Sequence, residues 1–318
     1  MLLDIGAVVI GLVGLLVGGE WLIRSASRLA TALGVPTVVV GLTVVALGTS
    51  MPELVVSVSA ALGGVSDVAL GNVVGSNIAN IGLIIGLAGL IAPLVLHVTL
   101  IRREIPIMIG ASVVVLLMAL DGTIGQADGI VLVLGYAVFT FVLYRFSRPA
   151  SENAEVAEGV AEVEGQPVSI SPVRELGVLV ISIIVLIAGA QFIVGGAVNI
   201  ARTVGISELV IGLTLVSVGT SLPEIATTLI AARRGHSDLA AGNAVGSNIA
   251  NLLVILAVTS IIRPVPVPDQ VLRLDLPIMI AFAVVIVPLA WNRRLERWQA
   301  CVLLFGYAAF LTYVFIQG

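Results

Sequence analysis

Residues Gly41 to Pro93 read GLTVVALGTSMPELVVSVSAALGGVSDVALGNVVGSNIANIGLIIGLAGLIAP, and Gly212 to Pro264 read GLTLVSVGTSLPEIATTLIAARRGHSDLAAGNAVGSNIANLLVILAVTSIIRP. The copies align without a gap at an offset of 171 residues, and about half of the positions are identical. Shared apolar composition alone does not produce such a match, so the chain is a duplication. The register persists beyond this stretch: Pro106-Ile-Met-Ile matches Pro277-Ile-Met-Ile, and Gly135-Tyr-Ala matches Gly306-Tyr-Ala.

What each copy folds into follows from its hydropathy. The chain is 59% hydrophobic and 11% charged, with a mean hydropathy of +1.18, too apolar for a soluble globular surface. A helix needs roughly 20 apolar residues to cross the hydrocarbon core. Ten spans fit that ruler: 3–23 (extensible to 32), 37–62, 67–91, 104–120, 127–146, 175–200, 208–232, 239–262, 274–291 and 298–316. Residues 1–23 lack a basic leader and a small-residue cleavage site, and are expected to be a retained span. The expected class is therefore an all-α integral membrane protein, with ten transmembrane helices as two five-helix repeats. The units are 1–146, with its motif at 41–80, and 173–318, with its motif at 212–251. They are joined by a linker, 147–172, that carries Glu152, Glu155, Glu158, Glu162 and Glu164. Five is odd, so the second unit enters the membrane from the side opposite to the first. Such inverted-topology repeats place transport sites at the midplane between the halves.

Arginine placement orients the chain. With both termini outside, the inner loops hold Arg24, Arg28, Arg102, Arg103, Arg145, Arg148, Arg174, Arg233, Arg234, Arg293, Arg294 and Arg297, against Arg202, Arg263 and Arg273 outside. A multi-pass protein of the cell membrane with a cytoplasmic linker is expected. Its expected partners are the lipid bilayer and small ions. Nothing basic enough for nucleic acid is present, and no obligate protein partner is expected. The single Cys301 excludes an internal disulfide, and two histidines, His97 and His236, argue against a histidine-built metal centre.

The polar residues of the repeat carry the chemistry. In Gly48-Thr-Ser-Met-Pro-Glu53 the ring of Pro52 is expected to kink the helix near Gly48 and free carbonyls around Ala46 to Thr49. Glu53 lies four residues after Thr49 and three after Ser50, on one helical face, and Glu224, Thr220 and Ser221 repeat the pattern. These are hard oxygen donors, suited to Ca²⁺ and Na⁺. A charge at the bilayer centre costs about 2.5–3.5 kcal/mol on insertion scales, so two facing carboxylates call for a cation between them. In the next span Ser76 and Asn80, and likewise Ser247 and Asn251, share a face. Gly71 and Gly75 read as helix-packing positions, and Asp67 and Asp238 as N-terminal caps.

The pairing of GTSMPE and GTSLPE with two copies of GSNIAN resembles the two α-repeats of the calcium/cation antiporter superfamily, specifically its prokaryotic sodium/calcium exchanger branch. That resemblance covers essentially the whole chain. It implies Ca²⁺ held by Glu53, Glu224 and the carbonyls of Thr49 and Thr220. It implies Na⁺ sites drawing on Ala46, Ser50, Ser76, Ser217, Ser221 and Ser247, with Asn80 and Asn251 at the centre. It also implies that the first and sixth spans slide as a gating pair. Where some members of the superfamily carry Asp, this chain has Asn251, which suggests exchange independent of potassium. The function implied is a secondary antiporter exchanging Na⁺ for Ca²⁺ by alternating access, and not an enzyme. Ca²⁺ and Na⁺ are the transported ions and no organic cofactor is expected. A proton/calcium exchanger and, less favoured, a cation channel are the alternatives.

Overall fold

A bilayer offers no hydrogen bonds, so each apolar stretch must satisfy its backbone internally, which a helix does. The computed structural model describes residues 1–64, 66–146, 171–203 and 217–317, with the backbone alone for 66, 67, 217 and 315–317. The first half contains α1 (Leu2–Leu33), a broken span formed by α2 (Thr37–Thr49) and α3 (Met51–Leu62), then α4 (Val68–Ile91), α5 (Leu100–Asp121) and α6 (Gln126–Arg145). The second contains α7 (Pro172–Thr203), α8 (Ser217–Thr220), α9 (Leu222–Arg233), α10 (Ser237–Ile262), α11 (Val271–Leu289) and α12 (Arg297–Gln317). Seven of these helices are long and apolar enough to cross a membrane singly, and the bent pair α2–α3 makes an eighth. All but the last two residues of the expected linker and most of the first half of span 208–232 fall outside the described residues.

Two short antiparallel ribbons expose the inversion. β1 (Leu94–Val95) pairs with β4 (Arg294–Leu295), and β2 (Thr123–Ile124) pairs with β3 (Val265–Pro266). In repeat numbering β3 is the mate of β1 and β4 is the mate of β2. Each ribbon therefore joins the loop after the third span of one half to the loop after the fourth span of the other. That meeting requires the halves to run in opposite directions through the membrane.

The helices are sorted by burial. α4 and α10, which carry the GSNIAN motifs, have 72% and 78% of their central windows buried, against 22% and 28% for α1 and α7. The outer pair cross on glycine. A Cβ on Gly11 would stand 2.5 Å from the Gly189 carbonyl oxygen, and one on Gly196 2.6 Å from that of Asp4. Packing this close, which small residues permit, binds α1 and α7 as a unit along their length.

Three local expectations are revised. The helix breaks at Ser50 (φ −81°, ψ 7°), not near Gly48, and α2 and α3 diverge by 43°. Pro52 takes the opening turn of α3, where its missing N–H costs no bond, and the Ala46 carbonyl keeps the Ser50 amide at 3.1 Å. Asp238 is not a cap: it lies inside α10, and its Oδ1 accepts the His97 amide at 3.1 Å, tying α10 to the opposite repeat. The Asp67 side chain lies outside the described residues. The glycine packing holds for the second repeat, where a Cβ on Gly246 would lie 2.6 Å from the Leu42 backbone. The repeat mate of Leu42 is residue 213, outside the described residues, as would be the matching partner of Gly75.

Candidate cation-binding site

The broken span brings its polar residues to the start of α3, and the second half does the same at α9. Glu53 and Glu224 are each 1% exposed, and neither has a basic partner among the described residues. The halves hold each other's carboxylate. Ser50 Oγ donates to Glu224 Oε1 at 2.9 Å, and Ser221 Oγ donates to Glu53 Oε1 at 3.1 Å. Two acidic groups from inverted halves thus occupy one cluster.

α4 and α10 cross beside it through four asparagines. Asn80 Nδ2 donates to Asn248 Oδ1 at 2.9 Å, and Asn251 Nδ2 to Asn77 Oδ1 at 3.0 Å. The amides of Asn77 and Asn248 reach each other's backbone carbonyl, and also the thioethers of Met279 and Met108. Wide π-type turns begin at Asn80 and at Asn251 (Asn80–Ile85 and Asn251–Ile255), a local unwinding that often marks functional segments.

The other expected residues lie in or around this cluster. Ser76 and Ser247 are buried. The Thr49 hydroxyl lies 3.3 Å from both the Ala46 carbonyl and Asn243 Oδ1 and can donate to one of them at a time, while the Ser50 amide donates to the Ala46 carbonyl. Thr220 is half-buried and ends α8. The Ser217 side chain is outside the described residues. Asn77, Asn248, Met108 and Met279 were not singled out from the sequence. Their signal was present in the repeat, as the invariant middle of GSNIAN and as the matched Pro-Ile-Met-Ile.

A second polar layer backs the first. Asn72 Nδ2 donates to the Glu53 carbonyl at 3.2 Å and to Ser57 Oγ at 3.0 Å, and its mate Asn243 donates to Thr228 Oγ1 at 3.0 Å.

The cluster holds more oxygens than its hydrogen bonds satisfy. The buried side-chain atoms left without a partner include Glu53 Oε2, Glu224 Oε2, Asn80 Oδ1, Asn251 Oδ1 and Ser247 Oγ, and every such atom is an oxygen. Two pairs of these are repeat mates. Buried polar atoms normally find a partner, so a matched set of orphaned oxygens that includes both carboxylates fits a hard cation as its missing partner.

The chain belongs to the sodium/calcium exchanger protein family, whose model matches residues 3–145 and 174–316, the two halves separately. It is thus a membrane cation/calcium exchanger of a transporter family and not an enzyme. It is 34% identical to the inner membrane protein YrbG of Escherichia coli, over 92% of this chain and 90% of that one. It is 32% identical to the sodium/calcium exchanger MaX1 of Methanosarcina acetivorans, over 96% and 97%. Among solved structures it matches the sodium-calcium exchanger NCX_Mj, soaked with Na⁺ and Ca²⁺, with a TM-score of 0.85 and 30% identity over 98% of both chains. The ten-span architecture of two inverted five-helix repeats is the fold of that family.

Proposed function

We propose that this protein is a secondary antiporter in which Na⁺ entering down its gradient drives Ca²⁺ the other way, both ions competing for one midplane site. The observation that carries this is the set of orphaned oxygens on Glu53, Glu224, Asn80, Asn251 and Ser247. Ca²⁺ would lie between the two glutamates with the carbonyls of Thr49 and Thr220. Na⁺ would use the same carboxylates with Ser50, Ser221, Ser76, Ser247, Ser217, the Ala46 carbonyl and the central asparagines.

The electrostatics supply the coupling. An empty site leaves two carboxylates uncompensated in a closing, low-dielectric cavity, which is strongly unfavourable, whereas one Ca²⁺ or two Na⁺ neutralise them. Only a loaded site then passes between outward-open and inward-open states, and exchange results. The names of MaX1 and NCX_Mj as sodium/calcium exchangers support sodium as the driving ion. The proposed arrangement is two units, 1–146 and 173–318, in the cell membrane, with the termini outside and the acidic linker 147–172 in the cytoplasm.

Uptake of radioactive calcium into proteoliposomes tests the proposal. Vesicles preloaded with sodium should accumulate calcium when diluted into sodium-free buffer, and a pH gradient alone should drive none. Uptake that follows the pH gradient and ignores sodium would replace the proposal with proton exchange.

A further inference from the structure

The repeat supplies an internal control for every surface, because each feature has a mate on the opposite membrane face. On the face of the β1–β4 ribbon, between the start of α5 and the end of α11, lies a cavity of about 440 Å³ lined by Val98, Ile101, Arg102, Val287, Trp291 and Arg293. Its wall is apolar, its rim holds two guanidinium groups, and Trp291 is 73% exposed beside it. Neither Arg102 nor Arg293 has an ion-pair or side-chain hydrogen-bond partner among the described residues. The acidic group whose field reaches Arg293 is Asp238, whose Oδ1 already accepts the His97 amide.

On the other face two of the three polar positions are replaced, and the third, an arginine, is paired. Trp291 corresponds to Leu120, and Arg293 to Gly122. Arg273, the mate of Arg102, faces Asp269 Oδ2 at 3.6 Å, where the cavity has Val98. The apolar wall, in contrast, is kept: Ile101 and Val287 correspond to Leu272 and Leu116.

The backbone adds an independent sign. The turn after the fourth span of each half needs a left-handed residue. Gly122 takes it at φ 85°, and Arg293 takes it at φ 61°, the one non-glycine residue with positive φ among those described. A long L-side chain in that conformation crowds its own backbone, and such outliers persist where a function holds them.

We infer that this cavity is a binding site for a phosphate-bearing anion, the headgroup of an anionic phospholipid whose acyl chain lies along Val98, Ile101 and Val287. Guanidinium groups match phosphate in geometry as well as charge, indole rings seat at the headgroup level, and basic pockets between spans on the cytoplasmic side suit anionic headgroups. The inference adds a lipid ligand to the exchanger and rests on the proposed orientation for its leaflet only.

Native mass spectrometry of the full chain in detergent, with dioleoyl phosphatidylglycerol or dioleoyl phosphatidylcholine added, tests it. The wild type should retain phosphatidylglycerol in preference, and Arg102→Gln with Arg293→Gln should lower that preference roughly tenfold or more. Arg273→Gln, which removes the same charge from the other face, should leave it unchanged. Arg293→Gly should fold and melt at a higher temperature than wild type, since it restores the residue of the mate turn, yet retain less phosphatidylglycerol. Equal loss in Arg273→Gln, or no loss in the double variant, overturns the site. Inorganic phosphate binding at the same arginines without any lipid preference overturns the lipid assignment. Retention in detergent does not depend on leaflet or on ion exchange. A wrong orientation would show separately, as labelling of Asn292→Cys in a Cys301→Ser background by an impermeant thiol reagent added outside intact cells.

Discussion

Asn77 and Asn248, repeat mates on α4 and α10, each donate a side-chain amide to the other's backbone carbonyl, at 3.4 and 3.1 Å. The contact is its own image under the exchange of the two halves, so it lies on the axis that relates them. The same two side chains accept the amides of Asn251 and Asn80 through their Oδ1 atoms. That commits all four side-chain amides to the crossing and leaves Asn80 Oδ1 and Asn251 Oδ1 buried without a partner.

Replacing either residue by Ala should therefore damage two things at once. Interhelical hydrogen bonds in membranes are worth about 0.6 kcal/mol on average and up to about 1.7 kcal/mol. Each variant loses several, so a destabilisation of roughly 1–3 kcal/mol is expected, read as a lower melting temperature of the purified protein. Asn77→Ala and Asn248→Ala should behave alike because of the symmetry. A large effect from one and none from the other would place the functional axis elsewhere.

Glu53→Gln and Glu224→Gln should each abolish sodium-driven calcium uptake. The side chains keep their shape and an acceptor for Ser221 or Ser50, so folding should survive. The discriminating readout is calcium-dependent stabilisation. A ligand at 100 times its Kd stabilises the native state by about 2.7 kcal/mol, visible as a rise in melting temperature. Both variants should lose that rise, and uptake at the wild-type rate in either would remove the residue from the mechanism.

Much of this arrangement was legible in the chain itself. The offset of 171 residues, the odd number of spans and the recurrence of Glu53 as Glu224 contain the inversion and the paired acids. Hydropathy located the spans because the bilayer penalises any unsatisfied backbone. Contacts between the halves were not legible. Nothing in the spacing of GSNIAN reveals that Asn77 meets Asn248, or that Ser50 serves the carboxylate of the other half and not its own Glu53. Asp238 misled for a related reason: an acid near a helix start is ordinarily a cap, but here a loop of the opposite repeat brings the His97 amide to it. The hinge moved from Gly48 to Ser50 because a proline accommodated in a helix's opening turn begins a new helix rather than bending the old one.

Asn251→Asp should weaken the crossing. Asn251 Nδ2 donates to Asn77 Oδ1 at 3.0 Å, and an ionised carboxylate there sets acceptor against acceptor. Leaving that buried acceptor without a donor costs roughly 1–3 kcal/mol. Sodium-driven uptake near neutral pH should fall several-fold, and acidification, which returns a donor to the side chain, should recover part of the stability. Unchanged uptake and an unchanged melting temperature would mean that this amide is not needed as a donor.

Glu20 on α1 ties the outer helix pair to the core on one membrane face. Arg234, which follows α9, grips it with two nitrogens, at 2.5 and 3.1 Å, and Arg24 adds a third contact at 2.8 Å. The repeat mates of Glu20, Arg24 and Arg234 are Gln191, Gly195 and Gly63, which cannot form this ion triad. Among the described residues this triad is therefore made on one face, the Arg-rich one proposed to be cytoplasmic, without a counterpart at the mate positions. If α1 and α7 move as a pair during exchange, the triad favours the state closed on that face. Arg234 is 52% exposed, which limits the contribution of the contact, so Arg234→Gln should shift the balance only two- to fivefold, roughly. The shift should appear as faster thiol labelling of a cysteine placed at Thr228, in a Cys301→Ser background, from the cytoplasmic side in inverted vesicles, with Arg234→Lys intermediate. Slower labelling in Arg234→Gln, or an equal change on the opposite face, would show that the triad does not hold this side closed.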